Sequence, residues 1–467
     1  MNKIILSSLL LALLATGCKK FTDVNYDPNR PTAVSEKLLL APIEYNLANN
    51  IETNDPGFTA TYMNHWLQNI AYNQAIPNFG TYQHVASNFD NPWSSIYIGG
   101  LENLSLMIQT AEKNGNLNYS GIGKILSAYC LGVATDLWGD VPYSQSLKGS
   151  NNFNPAYDKQ EDIYKTIQSL LDNGLADINK NTSLRPGTDD FYYAGDMNKW
   201  RRAAYTLKAR YYMHLTKAPG YTAATQADLA LAALQNGMTA NTDDMRFIYP
   251  GGAGTENHWY NIMLPVSTLA LASTLVDTLK VRNDPRLPVL VAPAKTDAAY
   301  RGRQIGAVGA LPNLNSFSVV GSFYGSKTSA VFILTYSEAL FLKAEATLIK
   351  SGFAAAQPIY TDAVKSNMTK LGVSDANAAP YLNTRGTLTA ANALQRIMEE
   401  KSVADFLSIE NYNDWRRTGF PVIPLVPNAT QPEIPRRYLY PQSEANTNAN
   451  PLQSSTKLTD RVWWDTK

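Results

Sequence analysis

The chain is poor in cysteine, in charge and in histidine. Only Cys18 and Cys130 occur in 467 residues. That count excludes a small scaffold stapled by several disulfides. Charged residues make up 17 %, below the usual ~25 %. The formal net charge is +1, with no basic stripe and no acidic tail. Nucleic acid and anionic lipid are therefore not expected as partners. The four histidines, His65, His84, His214 and His258, show neither HExxH nor paired spacing, so no metal site is expected. Gly251-Gly252-Ala253-Gly254 lacks the Lys-Ser/Thr of a phosphate loop and follows no strand pattern, which leaves no nucleotide-type cofactor to expect. No GxSxG occurs, and with it goes the nucleophile elbow of an esterase. Alternating strand-like runs are scarce.

What is present begins at the N-terminus. Met1-Asn2-Lys3 gives a short positive start, and Ile4 to Ala15 is a run of 12 apolar and small residues. That is the length of a signal-peptide core, and well short of the ~20 residues that span a membrane. Leu14-Ala15-Thr16-Gly17-Cys18 follows and resembles the lipobox of bacterial lipoproteins. Residues 1–17 are then a signal peptide, Cys18 is the lipidated residue, and residues 18–34 are a tether. Two attached acyl chains hold a protein stably on a bilayer. In the tether, Asp27-Pro28-Asn29-Arg30-Pro31-Thr32 cannot continue a helix, because each proline biases its predecessor away from αR. Cys130 is left without a partner and lies in apolar Ile125 to Val133, which predicts a buried thiol. Elsewhere Asn, Thr, Ser, Gln and Tyr replace the missing charge, and Tyr (27) outnumbers Phe (14). Tyr offers an apolar face and a hydroxyl. Such a surface fits a glycan, and it fits an extracellular surface nearly as well.

Apolar spacing of three and four predicts a mostly α chain. The clearest helix is Lys199 to Lys217, with Trp200, Ala204, Leu207, Tyr211 and His214/Leu215 on one face. Further helices are expected at Gly121–Trp138, Asp158–Ile178, Thr225–Gln235, Tyr336–Ile349, Ala354–Leu371 and Ala391–Leu407. Val319 to Phe332 reads as a short hairpin around Gly321 and Gly325. Two long irregular stretches, Met238–Asn261 and Ala292–Gly325, have the length of functional loops. The pairs 199–217 with 225–235 and 336–349 with 354–371 repeat at roughly 34 residues, the tetratricopeptide period.

Four segments in order resemble the SusD/RagB family of outer-membrane nutrient-binding lipoproteins. They are Asp27-Pro28-Asn29-Arg30-Pro31-Thr32, then Asp136-Leu137-Trp138-Gly139-Asp140-Val141-Pro142-Tyr143-Ser144. Next is the helix with Tyr336-Ser337-Glu338-Ala339 and Lys343-Ala344-Glu345-Ala346. Last is Trp415-Arg416-Arg417-Thr418-Gly419 through Pro435-Arg436-Arg437-Tyr438-Leu439-Tyr440-Pro441-Gln442-Ser443-Glu444. Asn446 and Val462-Trp463-Trp464-Asp465 agree, and the Pro-Asn-Arg-Pro-Thr start is most similar to the second SusD-like subfamily. The resemblance implies an all-α SusD-like fold with tetratricopeptide-like helix pairs, large ligand-side loops and little β, as a single domain over 35–467. It implies a lid on a SusC-like β-barrel transporter of the TonB-dependent class, handing over captured glycan, with peptide as the alternative cargo. It implies an outer-membrane, surface-exposed location and neither catalysis nor a cofactor. One departure is that Lys19 and Lys20, rather than acidic residues, follow the lipid cysteine.

Two segments carry aromatics interleaved with amides, the pattern for stacking on sugars and bonding their hydroxyls. One is Glu256-Asn257-His258-Trp259-Tyr260-Asn261, in a Gly-rich loop where binding residues concentrate. The other runs from Tyr62-Met63-Asn64-His65-Trp66 through Tyr72, Asn73, Phe79 and Tyr82. The ligand candidates are therefore Asn257, His258, Trp259, Tyr260, Trp66 and Tyr72; the opposing expectation is that these rings pack inside. Asp136 and Asp140, four apart around Trp138, have the residue types of a glycosidase acid pair. The turn Gly139-Asp140-Val141-Pro142 favours a structural role for both. Glu338 and Glu345 lie on an apolar helix and need cations; Arg416 and Arg417 are expected to supply them. Trp463-Trp464 is expected to pack back on the fold.

Overall fold

Helices form where the apolar spacing asks for them, and polar side chains mark their starts. The computed structural model describes residues 34–53, 59–72, 79–264, 268–306, 313–450 and 456–466. Among these, eleven helices have nine residues or more. They are α1 (Glu36–Asn46), α2 (Asn103–Asn114), α3 (Leu117–Trp138), α4 (Gln160–Ile178), α5 (Met197–His214) and α6 (Ala223–Leu234), followed by α7 (Ser273–Val281), α8 (Tyr336–Lys370), α9 (Asp375–Arg385), α10 (Ala393–Ala404) and α11 (Glu410–Thr418). Asp196 caps α5 by accepting from the amides of Asn198 and Lys199. Thr335 caps α8 through the Glu338 amide at 3.1 Å. Each such cap contributes about 1 kcal/mol.

The expected helix pairs are present. α5 packs on α6, and α6 packs on α8. The predicted helices at 336–349 and 354–371 are the two arms of α8, broken at Gly352 with φ 81°. Phe341 and Tyr360 meet across that break, with ring centroids 6.5 Å apart. α3 packs on both α2 and α4, and α4 on α5, so the helices stack in sequence. The α3–α4 crossing is set by glycine. A Cβ at Gly121 would lie 2.9 Å from the Gly174 carbonyl oxygen, and one at Gly174 would lie 3.0 Å from that of Gly121. The predicted apolar face of α5 is the buried one: Trp200, Ala204, Leu207, Tyr211, His214 and Leu215 are all at most 4 % exposed.

Strands are short: β1 (Ile70–Tyr72), β2 (Met245–Ile248), β3 (Leu269–Leu271), β4 (Val291–Ala292), β5 (Val319–Val320) and β6 (Ala330–Leu334). They form three antiparallel two-stranded ribbons, β1–β3, β2–β6 and β4–β5. The expected hairpin over 319–332 is therefore wrong in its pairing. β5 and β6 each take a distant partner, and a four-residue helix, Ser322–Gly325, separates them. Gly321 is extended, with φ −69° and ψ 163°, and leads into that helix instead of forming a hairpin turn. The apolar spacing also gave no sign of α2, α7, α9 or α11.

The interior holds an ionic network among the stacked helices. Arg210 on α5 makes a bidentate pair with Glu338 on α8, both bonds 2.7 Å, and donates to the Ile333 carbonyl at 3.0 Å. His214 bonds Glu410 at 2.7 Å and lies 3.4 Å from Asp136. Arg417 grips Glu345 and reaches Asp414 at 2.8 Å. Lys401 bridges Asp405 and Asp414 at 2.8 and 2.6 Å. Arg416 departs from expectation: its fork goes to Asn413 Oδ1 and the Arg436 carbonyl rather than to Glu338. Its guanidinium lies 4.3 Å from the Tyr412 ring and 4.6 Å from that of Trp464. Arg210 takes Glu338 because α5 packs directly on α8. Contacts divide the chain after Ser35: Glu36–Lys467 forms one unit and residues 1–35 another. The expected signal peptide over 1–17, the expected lipidation residue Cys18 and the expected tether up to residue 33 lie outside the described residues. Among those described, no helix is long and apolar enough to cross a membrane.

Candidate ligand-binding face

The two aromatic segments come together through one ribbon. The helix Thr59–Trp66 leads into β1, and the helix His258–Met263 leads towards β3. β1 and β3 pair with Ile70 opposite Leu271 and Tyr72 opposite Leu269. Residues nearly 200 apart in sequence thus share a two-stranded ladder. Asn73 lies outside the described residues.

The individual candidates divide by exposure. Trp66 is fully buried. Its ring sits among Tyr62, His84, Tyr412 and Tyr438 at 5.3–6.4 Å, and its Nε1 donates to His84 Nε2 at 3.1 Å. Tyr72 is 5 % exposed and packs on His65 and Phe79. Trp259 is 2 % exposed and Asn257 is fully buried. These four side chains occupy the interior, and the indoles offer solvent no open face for stacking.

Asn257 explains why the second segment is ordered locally. Its Oδ1 accepts from the Tyr260 amide at 3.2 Å and caps the short helix. Its Nδ2 donates to the Ser329 carbonyl at 3.0 Å, and its own amide donates to the Lys327 carbonyl at 2.8 Å. The segment is thereby tied to the 322–334 region, and Trp259 is turned inwards against it. Tyr260 and His258 are left half-buried at the surface. The Lys327 ammonium stands 5.7 Å from the Tyr260 ring. Lys327 was invisible in the sequence, being 67 positions away with no periodic signal to connect it.

Behind Trp259 lies a cavity lined by Glu52, Tyr324, Phe332, Glu338, Lys370 and Asp405. Burial pushes the Glu52 carboxyl up to about 8, despite the hydrogen bond donated by Tyr129. Among the described residues, Glu52 Oε2 and Lys370 Nζ have no hydrogen-bond partner. Burial also holds His65 down near 4 and His84 near 3. Both are therefore neutral at physiological pH. His84 accepts the Trp66 bond on Nε2, which places its proton on Nδ1.

The two acids of the supposed glycosidase pair do other work. Asp136 is 2 % exposed, and its oxygens accept from Tyr164, from Asn413 at 3.1 Å and from Trp464 Nε1 at 3.1 Å. Asp140 accepts the Gln160 amide at 2.8 Å at the start of α4. Trp464 is fully buried, so the terminal segment does pack back on the fold. Cys130 is fully buried, and burial raises its thiol pKa far above the usual range. Among the described residues no group of His, Cys, Asp and Glu has the makings of a metal site.

Known proteins share this architecture. Residues 28–441 match the SusD-like_2 family model, described as "Starch-binding associating with outer membrane". A SusD/RagB family protein from Bacteroides thetaiotaomicron superposes with TM-score 0.81 at 24 % identity, covering 93 % of this chain and 99 % of its own. A chitin-binding SusD homologue from Flavobacterium johnsoniae gives 0.78 at 24 %, covering 92 % and 98 %. Another chitin-binding protein gives 0.80 at 24 %, covering 93 % and 100 %. Curated proteins give no match. The family model spans most of the sequence and the helix stack agrees with it: this chain belongs to the SusD-like family of starch-binding proteins associating with the outer membrane.

Proposed function

We propose that this protein is a lipid-anchored, surface-exposed subunit that captures a glycan and delivers it to a SusC-like β-barrel transporter. The observation that carries the reading is the family match over residues 28–441, whose description couples starch binding to the outer membrane. The chitin-binding relatives make an N-acetylglucosamine polymer the first cargo to test beside starch. Lipidation at Cys18 supplies the anchor, in keeping with the absence of a spanning helix among the described residues. The ligand meets Tyr260 and His258, the half-exposed members of the 257–260 segment. Asn257 and Trp259 hold that segment from beneath, and Trp66 and Tyr72 hold the neighbouring β1 ribbon. Binding needs no bond-breaking chemistry, and the structural engagement of Asp136 and Asp140 fits that role.

The test has three arms. The mature protein is titrated with chito- and malto-oligosaccharides and with a peptide library. Membranes are fractionated with wild type and Cys18→Ala. Detergent extracts are examined for a co-purifying barrel. Saturable glycan binding, loss of membrane attachment in Cys18→Ala and recovery of a barrel are expected. Peptide binding without glycan binding overturns the cargo, and extracts without a barrel overturn the delivery step.

A further inference from the structure

Two further aromatic rings stand exposed at the surface, on elements that carry none of the candidates above. Tyr45 on α1 is 41 % exposed and Phe191, in the α4–α5 connection, is 49 % exposed. Both rings lean edge-on against one buried phenyl, Phe247 on β2, each with centroids 5.7 Å away. Phe247 is 4 % exposed. Each exposed ring is thus braced on one side and open on another.

The backbone beneath Phe191 is fixed. Its amide donates to Glu44 Oε2 at 2.6 Å, and the Tyr192 hydroxyl donates to the Glu44 carbonyl at 2.7 Å. Asp190 accepts the amides of Tyr192, Tyr193 and Gly195 and the Trp200 indole N–H, at 2.7–3.1 Å. A loop tied this firmly pays little ordering cost on binding. Half of a phenyl is nevertheless left in water on that rigid loop. Buried Glu44 is driven towards its neutral form, first by desolvation and then by the neighbouring Asp190.

Neutral polar groups border the rings. The Tyr249 ring packs on Phe247 at 5.0 Å, and its hydroxyl donates to Asn49 Oδ1 at 3.1 Å. Asn49 donates to Asn50 at 2.9 Å, and Asn50 donates to Asn46 at 2.8 Å. The Tyr45 hydroxyl makes no hydrogen bond among the described residues. Open ring faces beside a row of uncharged amides and a hydroxyl match a sugar, which presents C–H faces and hydroxyls together. Beyond these bonds Asn49 keeps, among the described residues, one amide N–H and one oxygen lone pair, which an apolar protein surface would cover without pairing, at a cost.

We propose that Tyr45 and Phe191, braced by Phe247 and bordered by Asn49, form a glycan-stacking site separate from the Tyr260 segment. It rests on the reading of the cargo as a glycan. A second site on one chain would raise retention on a polymer through effective concentration.

The experiment measures retention of the detergent-solubilised mature protein on insoluble chitin and on starch granules. Wild type is compared with Tyr45→Ala/Phe191→Ala and with Phe191→Trp, and all three are melted as a folding control. The double variant is expected to lose at least about tenfold in retention on the polymer that wild type binds, with an unchanged melting temperature. Phe191→Trp is expected to hold or raise retention, and it decides the matter if the double variant melts early: a drop there overturns the site. Wild-type retention in the double variant overturns the site while leaving glycan capture intact. Wild type that binds neither polymer nor any short oligosaccharide overturns both. Loss of barrel co-purification with polymer retention intact overturns the site and reassigns the rings to a protein partner.

Discussion

Around Trp66, His65 and His84 are buried among Tyr62, Tyr72, Phe79 and Phe89. Among the stacked helices His214 is equally buried, but between Asp136 and Glu410. Burial lowers all three. In the aromatic block it prevails, and His65 and His84 stay neutral. In the network the Glu410 and Asp136 carboxylates outweigh it, and His214 rises to about 9. The comparison separates two ways of building an interior. The region that carries the β1–β3 ribbon is held by rings and neutral hydrogen bonds. The helix stack is locked by charges that cross between helices far apart in sequence. Rings tolerate changes of shape better than paired charges tolerate loss of a partner.

The largest effect expected from breaking the network is at Arg417. Arg417→Ala leaves buried Glu345 without its cation, while Asp414 keeps Lys401, and should cost ~3–5 kcal/mol in denaturant unfolding. Arg416→Ala removes hydrogen bonds and ring contacts but orphans no acid, so ~1–3 kcal/mol is expected. Equal losses would remove the distinction between them.

The pH profile sharpens the comparison next, because the two regions act on opposite limbs. His214 has a raised pKa, so its contribution is complete below about 6.5 and is lost as pH rises through about 9. The size is on the order of 3 kcal/mol. Glu52, raised to about 8, adds to the same alkaline loss: the unfolded carboxyl ionises near 4.5 while the folded one resists. Glu52→Gln should therefore flatten the melting curve between about pH 4.5 and 8, the interval between its unfolded and folded values. His65 and His84, with lowered values, destabilise on the acid limb as pH falls below 6.5. His84→Gln keeps an acceptor for Trp66 and should flatten only that limb. A slope above pH 6.5 altered by His84→Gln would contradict the assignment.

Tyr260→Ala should weaken the best glycan ligand by ~2 kcal/mol and leave the melting temperature nearly unchanged, since the ring is half-exposed. Trp66→Ala should do the reverse, melting early as a buried aromatic lost from a packed interior. The smallest effect is expected at Asp140. Asp140→Ala removes the acceptor for the Gln160 amide and should cost about 1 kcal/mol, less than Asp136→Ala, which strips three buried donors of their acceptor.

The helix stack was legible because its signal is periodic. Residues 199–217 announce a buried face at three- and four-residue spacing, and α5 buries that face. Caps and the Gly352 break sharpened boundaries without changing the order of elements. The ribbons were illegible: β5 and β6 pair with residues outside their own neighbourhood, and two- to five-residue strands carry no usable alternation. At the site, sequence gathered Asn257, His258, Trp259 and Tyr260 as one group. Composition alone could not say that Trp259 turns inwards and Tyr260 outwards, because that depends on where Asn257 meets Ser329 and Lys327. Tyr45 and Phe191 carried no signal either, being 146 positions apart and joined only through Phe247.

The most direct test of glycan capture is calorimetric titration of the mature protein with chito- and malto-oligosaccharides, repeated with Tyr260→Ala. Saturable binding of one series by wild type, weakened roughly thirtyfold in the variant with an unchanged melting temperature, is the expected result. Heat of binding from neither series, with a peptide ligand bound instead, would contradict it.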